Sequence, residues 1–144
     1  MTQAERDLAA AGALLLEQGK RIDRISRAVT LIAVAGMLLV ASLPALSARG
    51  AAAPLALVVL LGLGQAFYAL RVDFDARLFA ALGSGSPPGT LGRLDAALIG
   101  LGLLPQAKAG RALEPRLAGA TRLMRWQAGL LAGQLLVCFV AALL

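Results

Sequence analysis

The chain of 144 residues contains no histidine and a single cysteine, Cys138, which lies inside an apolar stretch. Zinc, iron and disulfide chemistry need clustered His or Cys, so no metal and no cofactor is expected. Aromatic residues make up only 4% of the chain and charged residues 15%, against 59% apolar residues and a mean hydropathy of +0.78. That balance lies outside the range of water-soluble domains. With so few rings, the apolar character rests on Leu, Ala, Val and Gly, a composition better suited to helices facing lipid than to a compact core in water.

Three stretches lack Asp, Glu, Lys and Arg altogether: Ala28 to Ala48, Gly50 to Leu70 and Trp126 to Leu144. A helix rises about 1.5 Å per residue and the bilayer hydrocarbon is about 30 Å thick, so roughly 20 apolar residues are needed to cross it. The pattern therefore predicts three transmembrane helices, over 28–48, 54–70 and 126–144. A tight external turn at 49–53 follows from Pro44, Ser47, Gly50 and Pro54 around Arg49. Five Lys or Arg precede Ala28, one lies in that turn, and eight lie between Arg71 and Arg125. Positive residues near helix ends stay on the cytoplasmic side, so the N-terminus and the loop 71–125 are expected inside and Leu144 outside. Phe67, Tyr68 and Trp126 fall at the cytoplasmic ends of their spans, where aromatic rings favour the headgroup level. The expected setting is the inner membrane of a bacterium. Arg27, the apolar run and Ala45-Leu46-Ser47 imitate a signal peptide, but 27 leading residues carrying Glu5, Asp7, Glu17 and Asp23 favour an uncleaved anchor.

Outside the spans, Thr2 and Glu5 have the spacing of a capping box, and Leu8, Ala11, Leu15, Ile22 and Ile25 recur near helical spacing. Residues 3–27 are thus expected as an amphipathic helix running into the first span. Asp73 to Leu82 reads as a separate short helix, capped by Asp73 or Asp75, with Asp73 able to pair with Arg77. GSGSPPG at 83–89 reads as a hinge, and it lacks the Gly-Lys-Ser/Thr ending of a phosphate loop. Thr90 then caps a helix with Leu91, Leu94, Leu98 and Ile99 on one face, ended by Pro105. The uncharged run Ala96 to Ala107 is too short to cross a bilayer, so this face is expected to cover the span ends or to meet lipid or a partner. Pro115 opens a continuous rod of about 30 residues, roughly 45 Å, that carries the third span.

Within the spans, Gly129 and Gly133 form a GxxxG pair that Gly62 and Ala66 repeat in the second helix, and small residues at this spacing let two backbones approach closely in lipid. Gln65 and Gln134 lie at matching depths, so both are expected to face protein, and an amide hydrogen bond between them is feasible. Arg21, Arg24, Arg27, Arg71, Arg122, Arg125 and Trp126 form the headgroup-contact set. Asp73-Phe74-Asp75 resembles the DxD with which some membrane glycosyltransferases hold a metal-bound sugar nucleotide; no strand pattern for a nucleotide fold accompanies it, and helix capping is the expectation.

These observations predict an all-α integral membrane protein with three transmembrane helices, an amphipathic N-terminal helix and a helical cytoplasmic loop. No catalytic residues are assigned. The expected role is that of a non-catalytic accessory or assembly subunit, its partners being membrane lipid and another integral membrane protein or further copies of itself, with no nucleic acid. A lipid or small hydrophobic-molecule carrier, with residues 91–104 as an interfacial lid, is the alternative.

Overall fold

A computed structural model describes residues 2–43, 51–84, 91–103 and 105–143, and every regular element among them is helical. Helix α1 spans Gln3–Glu17, α2 Gly19–Ser42, α3 Ala52–Ser84, α4 Leu91–Gly100 and α5 Leu113–Leu143, with a single 3-10 turn at Gln106–Lys108. Three rods result, 3–42, α3 and α5, each long and apolar enough to cross a membrane. The expected turn around Arg49, the Ala45-Leu46-Ser47 site, the stretch 85–90 with the Thr90 cap, and Leu104 lie outside the described residues.

The first rod starts on a complete capping box: Thr2 Oγ1 accepts from the Glu5 amide at 3.2 Å, and Glu5 Oε2 accepts from the Thr2 amide at 2.6 Å. One irregularity interrupts it. Gln18 keeps helical angles, but its N–H reaches Leu15 O at 3.2 Å, a three-residue step that tightens the turn just before Gly19. The buried face also differs from the expected one: Ala9, Gly12, Ala13 and Leu16 point inward, whereas Leu15 and Ile25 are exposed.

The expected short helix Asp73 to Leu82 is not separate. No Gly or Pro occurs between Gly64 and Gly83, so nothing stops the second span, and α3 runs unbroken for 33 residues, roughly 50 Å. Asp73 and Asp75 therefore lie mid-helix and cap nothing. Gly83 and Ser84, expected in the hinge 83–89, are instead the last residues of α3, and the rest of that stretch lies outside the described residues. A Cβ on Gly83 would stand 2.9 Å from the Ala10 amide nitrogen, so glycine is what lets α1 and α3 touch there. The third rod is as expected: α5 has 31 residues, roughly 46 Å, and Pro115 sits in its first turn, where its missing N–H has no helical partner to lose.

Helix α3 packs along α1, α2 and α5, and α5 also touches α1 and α2 directly. Buried positions recur every seven residues: Gly12, Gly19, Ser26, Ala33 and Val40 in the first rod; Val58, Gln65, Val72 and Phe79 in α3; Leu113, Ala120, Gln127 and Gln134 in α5. A strict heptad keeps one seam facing its neighbours and imposes left-handed coiling. Contacts set the register. Gly19 meets Gln127 and Ser26 meets Gln134, so α2 and α5 run parallel with a constant offset of 108 residues, while α3 runs against both. In the half containing α2, the interior holds small and amide residues and the large side chains Leu31, Ile32, Leu38, Leu60, Leu63, Phe67, Leu136 and Phe139 face outward. The other half has an ordinary core of Leu16, Val72, Phe79, Leu82 and Leu113.

Candidate functional site

The apolar half is held together by a polar ladder inside the bundle. At its deeper rung, Gln134 Oε1 accepts from Ser26 Oγ at 2.5 Å, and Gln134 Nε2 donates to Thr30 Oγ1 at 3.0 Å and to Val58 O at 3.1 Å. One amide thereby ties all three rods. Seven residues away, Gln127 Nε2 donates to Gly19 O at 2.8 Å, leaving Gln127 Oε1 without a hydrogen bond. Gln65 lies between these rungs along α3, fully buried, and neither of its amide atoms has a partner. The Gln65–Gln134 bond that matching depths made feasible is not formed, because Ser26, Thr30 and the Val58 carbonyl occupy the Gln134 amide. Both glutamines nevertheless have no exposed surface and face protein.

The small residues divide by face. Gly62 is where α3 meets α2 most closely: a Cβ there would collide with Thr30 Oγ1 and stand 2.8 Å from Gln134 Nε2. Ala66, one turn on, is half-buried. On α5, Gly133 lies against Leu61, but a Cβ on Gly129 would meet nothing within 4 Å. The GxxxG pair is therefore split between an inner and an outer face.

Near the junction of the two halves, Gly19, Val72 and Gln127 mark one level, since a Cβ on Gly19 would stand 2.9 Å from Val72 Cγ1 and 3.1 Å from Gln127 Oε1. Arg71 and Arg125 lie within two residues of that level, and Trp126 is beside it. Arg21, Arg24, Arg27, Arg71, Arg122, Arg125 and Trp126 are all exposed, forming a basic collar. The charges of α2 reach further than the others: Arg27 is eight residues, roughly 12 Å, beyond Gly19 toward the apolar end. Arg27 Nη2 is 2.8 Å from Asp23 Oδ2, and Lys20 Nζ is 3.4 Å from Glu17 Oε1 and 3.7 Å from Asp73 Oδ1. Asp73 also accepts from Arg77 Nε at 2.8 Å. Lys20, Asp23, Arg27 and Asp73 border a cavity of about 230 Å³ between α2 and α3, whose apolar wall is Leu16, Ala69, Leu70 and Val72.

Helix α4 folds back onto the charged half. Leu91 and Leu94 pack against its core and Leu98 and Ile99 are half-buried, so of the uses expected for this face, covering the rods takes up part of it. Asp95, 3% exposed, fixes it: Oδ1 and Oδ2 each lie 2.8 Å from an Arg116 terminal nitrogen, and Oδ2 accepts from the Gly110 amide at 2.7 Å. The Arg116 hydrogen bond, helped by that amide and opposed by burial, holds the Asp95 carboxyl below the usual carboxylate range. Beyond α4, Leu101 and Leu103 are 72% and 58% exposed. Asp75 is shifted the other way: burial raises its pKa, and nearby Arg71 only partly offsets this.

Sequence reasoning missed Ser26, Thr30, Gln127, the Asp95–Arg116 pair and the exposed Leu101 and Leu103. A heptad count would have found the first and third of these, since Ser26 is seven residues from Gly19 and Gln127 seven from Gln134. Chemically, the ladder is built of hydroxyls, amides and carbonyls, neutral groups whose hydrogen bonds fix helix register. Among the described residues, no three His, Cys, Asp or Glu side chains gather as a metal would require, and Asp73 and Asp75 form no such group. No protein-family model matches the chain, and no curated protein or solved structure matches it either.

Proposed function

We propose that this protein is a non-catalytic subunit of a membrane complex, an accessory or assembly factor, inserted with its charged half in the cytoplasm and its C-terminus outside. The observation that carries this reading is the uncovered apolar surface on the charged half. Leu101 and Leu103 stand exposed beside a well-packed core, and Leu14 and Leu15 face away from that core on α1. Exposed leucines on a segment anchored by the Asp95–Arg116 pair favour cover by another protein. The collar of arginines supports the orientation.

The test is extraction of the tagged full-length protein in mild detergent and identification of whatever copurifies near stoichiometry. A protein partner that is retained by the native chain and lost from the Leu101→Ser, Leu103→Ser double variant, with helicity unchanged, supports the reading. If nothing copurifies, the reading fails.

A carrier role is the second reading, favoured by an apolar groove of about 1100 Å³ among Gly36, Val40, Leu55, Val58, Leu136 and Val140. Helix α4 packs at the opposite end of the rods, so of the expected lid 91–104 the described residues 91–103 do not cover this groove. In the same extraction, one strongly enriched lipid species and no protein partner would favour it.

A further inference from the structure

We propose that the cavity between α2 and α3 binds the head of a phospholipid that carries both a phosphate and a primary ammonium, a phosphoethanolamine head. The proposal rests on membrane insertion and is independent of the subunit reading.

The charges bordering the cavity balance: Lys20 and Arg27 against Asp23 and Asp73. A purely anionic head would meet two carboxylates, and a purely cationic one would meet two cations. A head carrying both signs satisfies all four. The existing pairs leave capacity for it. Lys20 lies 3.4 and 3.7 Å from its two carboxylate neighbours, beyond the roughly 2.7–2.9 Å of a charge-assisted hydrogen bond. Arg27 engages Asp23 through Nη2 and has further donors on a mostly exposed side chain. Asp73 engages Arg77 through Oδ2, while its Oδ1 lies 3.7 Å from Lys20 and remains open to accept; Asp23 Oδ1 has no exposed surface, so Asp23 contributes charge rather than a contact. In this arrangement Lys20 and Arg27 donate to the phosphate oxygens, while Asp73 accepts from the ammonium and Asp23 adds its charge to that side.

Depth and size point the same way. Asp23 and Arg27 stand on α2 opposite Ala69 and Leu70, which open the apolar span of α3, so the cavity straddles the boundary where a lipid head sits. At the roughly 30 Å³ share of a liquid water molecule, 230 Å³ accommodates about eight non-hydrogen atoms, the size of such a head. Leu70, Phe67 and Leu63 are exposed and lead from the cavity along α3 toward the apolar end, a path for acyl chains. That path selects a lipid over the free head compound.

The test is native mass spectrometry of the full chain in mild detergent, with an equimolar mixture of phosphatidylethanolamine, phosphatidylglycerol and phosphatidylcholine of identical chains. Phosphatidylethanolamine should be retained about tenfold over both others, because glycerol supplies no cation and the quaternary choline donates no hydrogen bond. Asp73→Asn should bring its retention down to that of phosphatidylcholine, and Lys20→Gln should lower it about tenfold. Both side chains are exposed enough that folding is unaffected, and circular dichroism verifies this. Equal retention of the three lipids, preference for phosphatidylglycerol, or an Asp73→Asn protein with unchanged preference would overturn the proposal. Soluble phosphoethanolamine displacing the lipid at equal concentration would overturn the lipid as its source.

Discussion

Arg116 grips both carboxylate oxygens of Asp95 across 21 residues of sequence, joining α4 to the first turn of α5. Its own Nε donates to Arg111 O at 3.0 Å, so the guanidinium also fixes the chain leading into α5. Removing one member of such a buried pair costs about 3–5 kcal/mol, because the other charge is left without a partner. Arg116→Ala should therefore release α4 while the three rods persist. Hydrogen exchange over 91–100 should rise sharply with little change over 58–79. Lowered as it is, the Asp95 pKa makes the pair's contribution complete above the ordinary carboxylate value of 3.8 and lost only as the pH falls through the lower folded value. Exchange in α4 should be flat in its pH-corrected rate from pH 5 to 8 and rise only under strong acid.

Asp75 gives the opposite sign. Burial raises its folded pKa above 3.8, so the folded state holds the proton more tightly than the unfolded chain does. Ionisation of Asp75 thus costs stability as the pH rises from the ordinary value through the folded one, and the penalty persists at neutral pH. Asp75→Asn should raise the melting temperature in detergent at pH 7, and this gain should vanish at pH 3. A lower melting temperature at pH 7 would mean that its attraction to Arg71 outweighs burial.

Two glutamines one layer apart should respond oppositely to becoming apolar. Gln134 makes three hydrogen bonds to two other rods, each worth about 0.6–1.7 kcal/mol inside a membrane. Gln134→Leu should destabilise by about 1–3 kcal/mol on that scale, and a Ser26→Ala, Gln134→Ala cycle should show coupling of about 0.6–2 kcal/mol. Gln65 is equally buried but has no partner for either amide atom. Replacing an unsatisfied polar side chain by an apolar one of similar shape is neutral or stabilising, so Gln65→Met should keep or raise the melting temperature. A loss as large as that of Gln134→Leu would mean that water or another group completes the Gln65 amide.

The helical class and the three candidate spans were legible because charge-free runs of about 20 residues are a one-dimensional signal. The packing was not legible through hydrophobicity. In the half containing α2 the usual burial order inverts: Leu31, Leu60 and Phe139 face out while Gly19, Ser26, Gln65 and Gln127 face in, so reading apolar residues as core misses Gln127, and on α1 the small residues Ala9, Gly12 and Ala13 with Leu16 form the buried face instead of Leu15. Heptad spacing of small and amide residues carries that information instead. The continuity of α3 was obscured by charge. Arg71, Asp73 and Asp75 mark where the charge-free run ends, but a change of polarity is not a helix boundary, and helix propensity does not change there. The Asp95–Arg116 pair joins residues 21 apart, and no local spacing rule reaches it.

The divided GxxxG motif yields the sharpest contrast. Gly62 has no room for a Cβ against Thr30 and Gln134, and both neighbours are pinned by their mutual hydrogen bond, so neither can yield without breaking the ladder. Gly62→Ala should cost about 1–3 kcal/mol, the usual penalty of overpacking. At Gly129 a Cβ meets nothing, and in a helix interior alanine is favoured over glycine by up to about 1 kcal/mol. Gly129→Ala should therefore leave the melting temperature of the isolated chain unchanged or slightly higher. Copurification then decides what the outer face does. If Gly129→Ala leaves stability intact but releases a partner retained by the native chain, that face is a helix-docking surface; if the partner is retained, association runs through the leucines of the charged half.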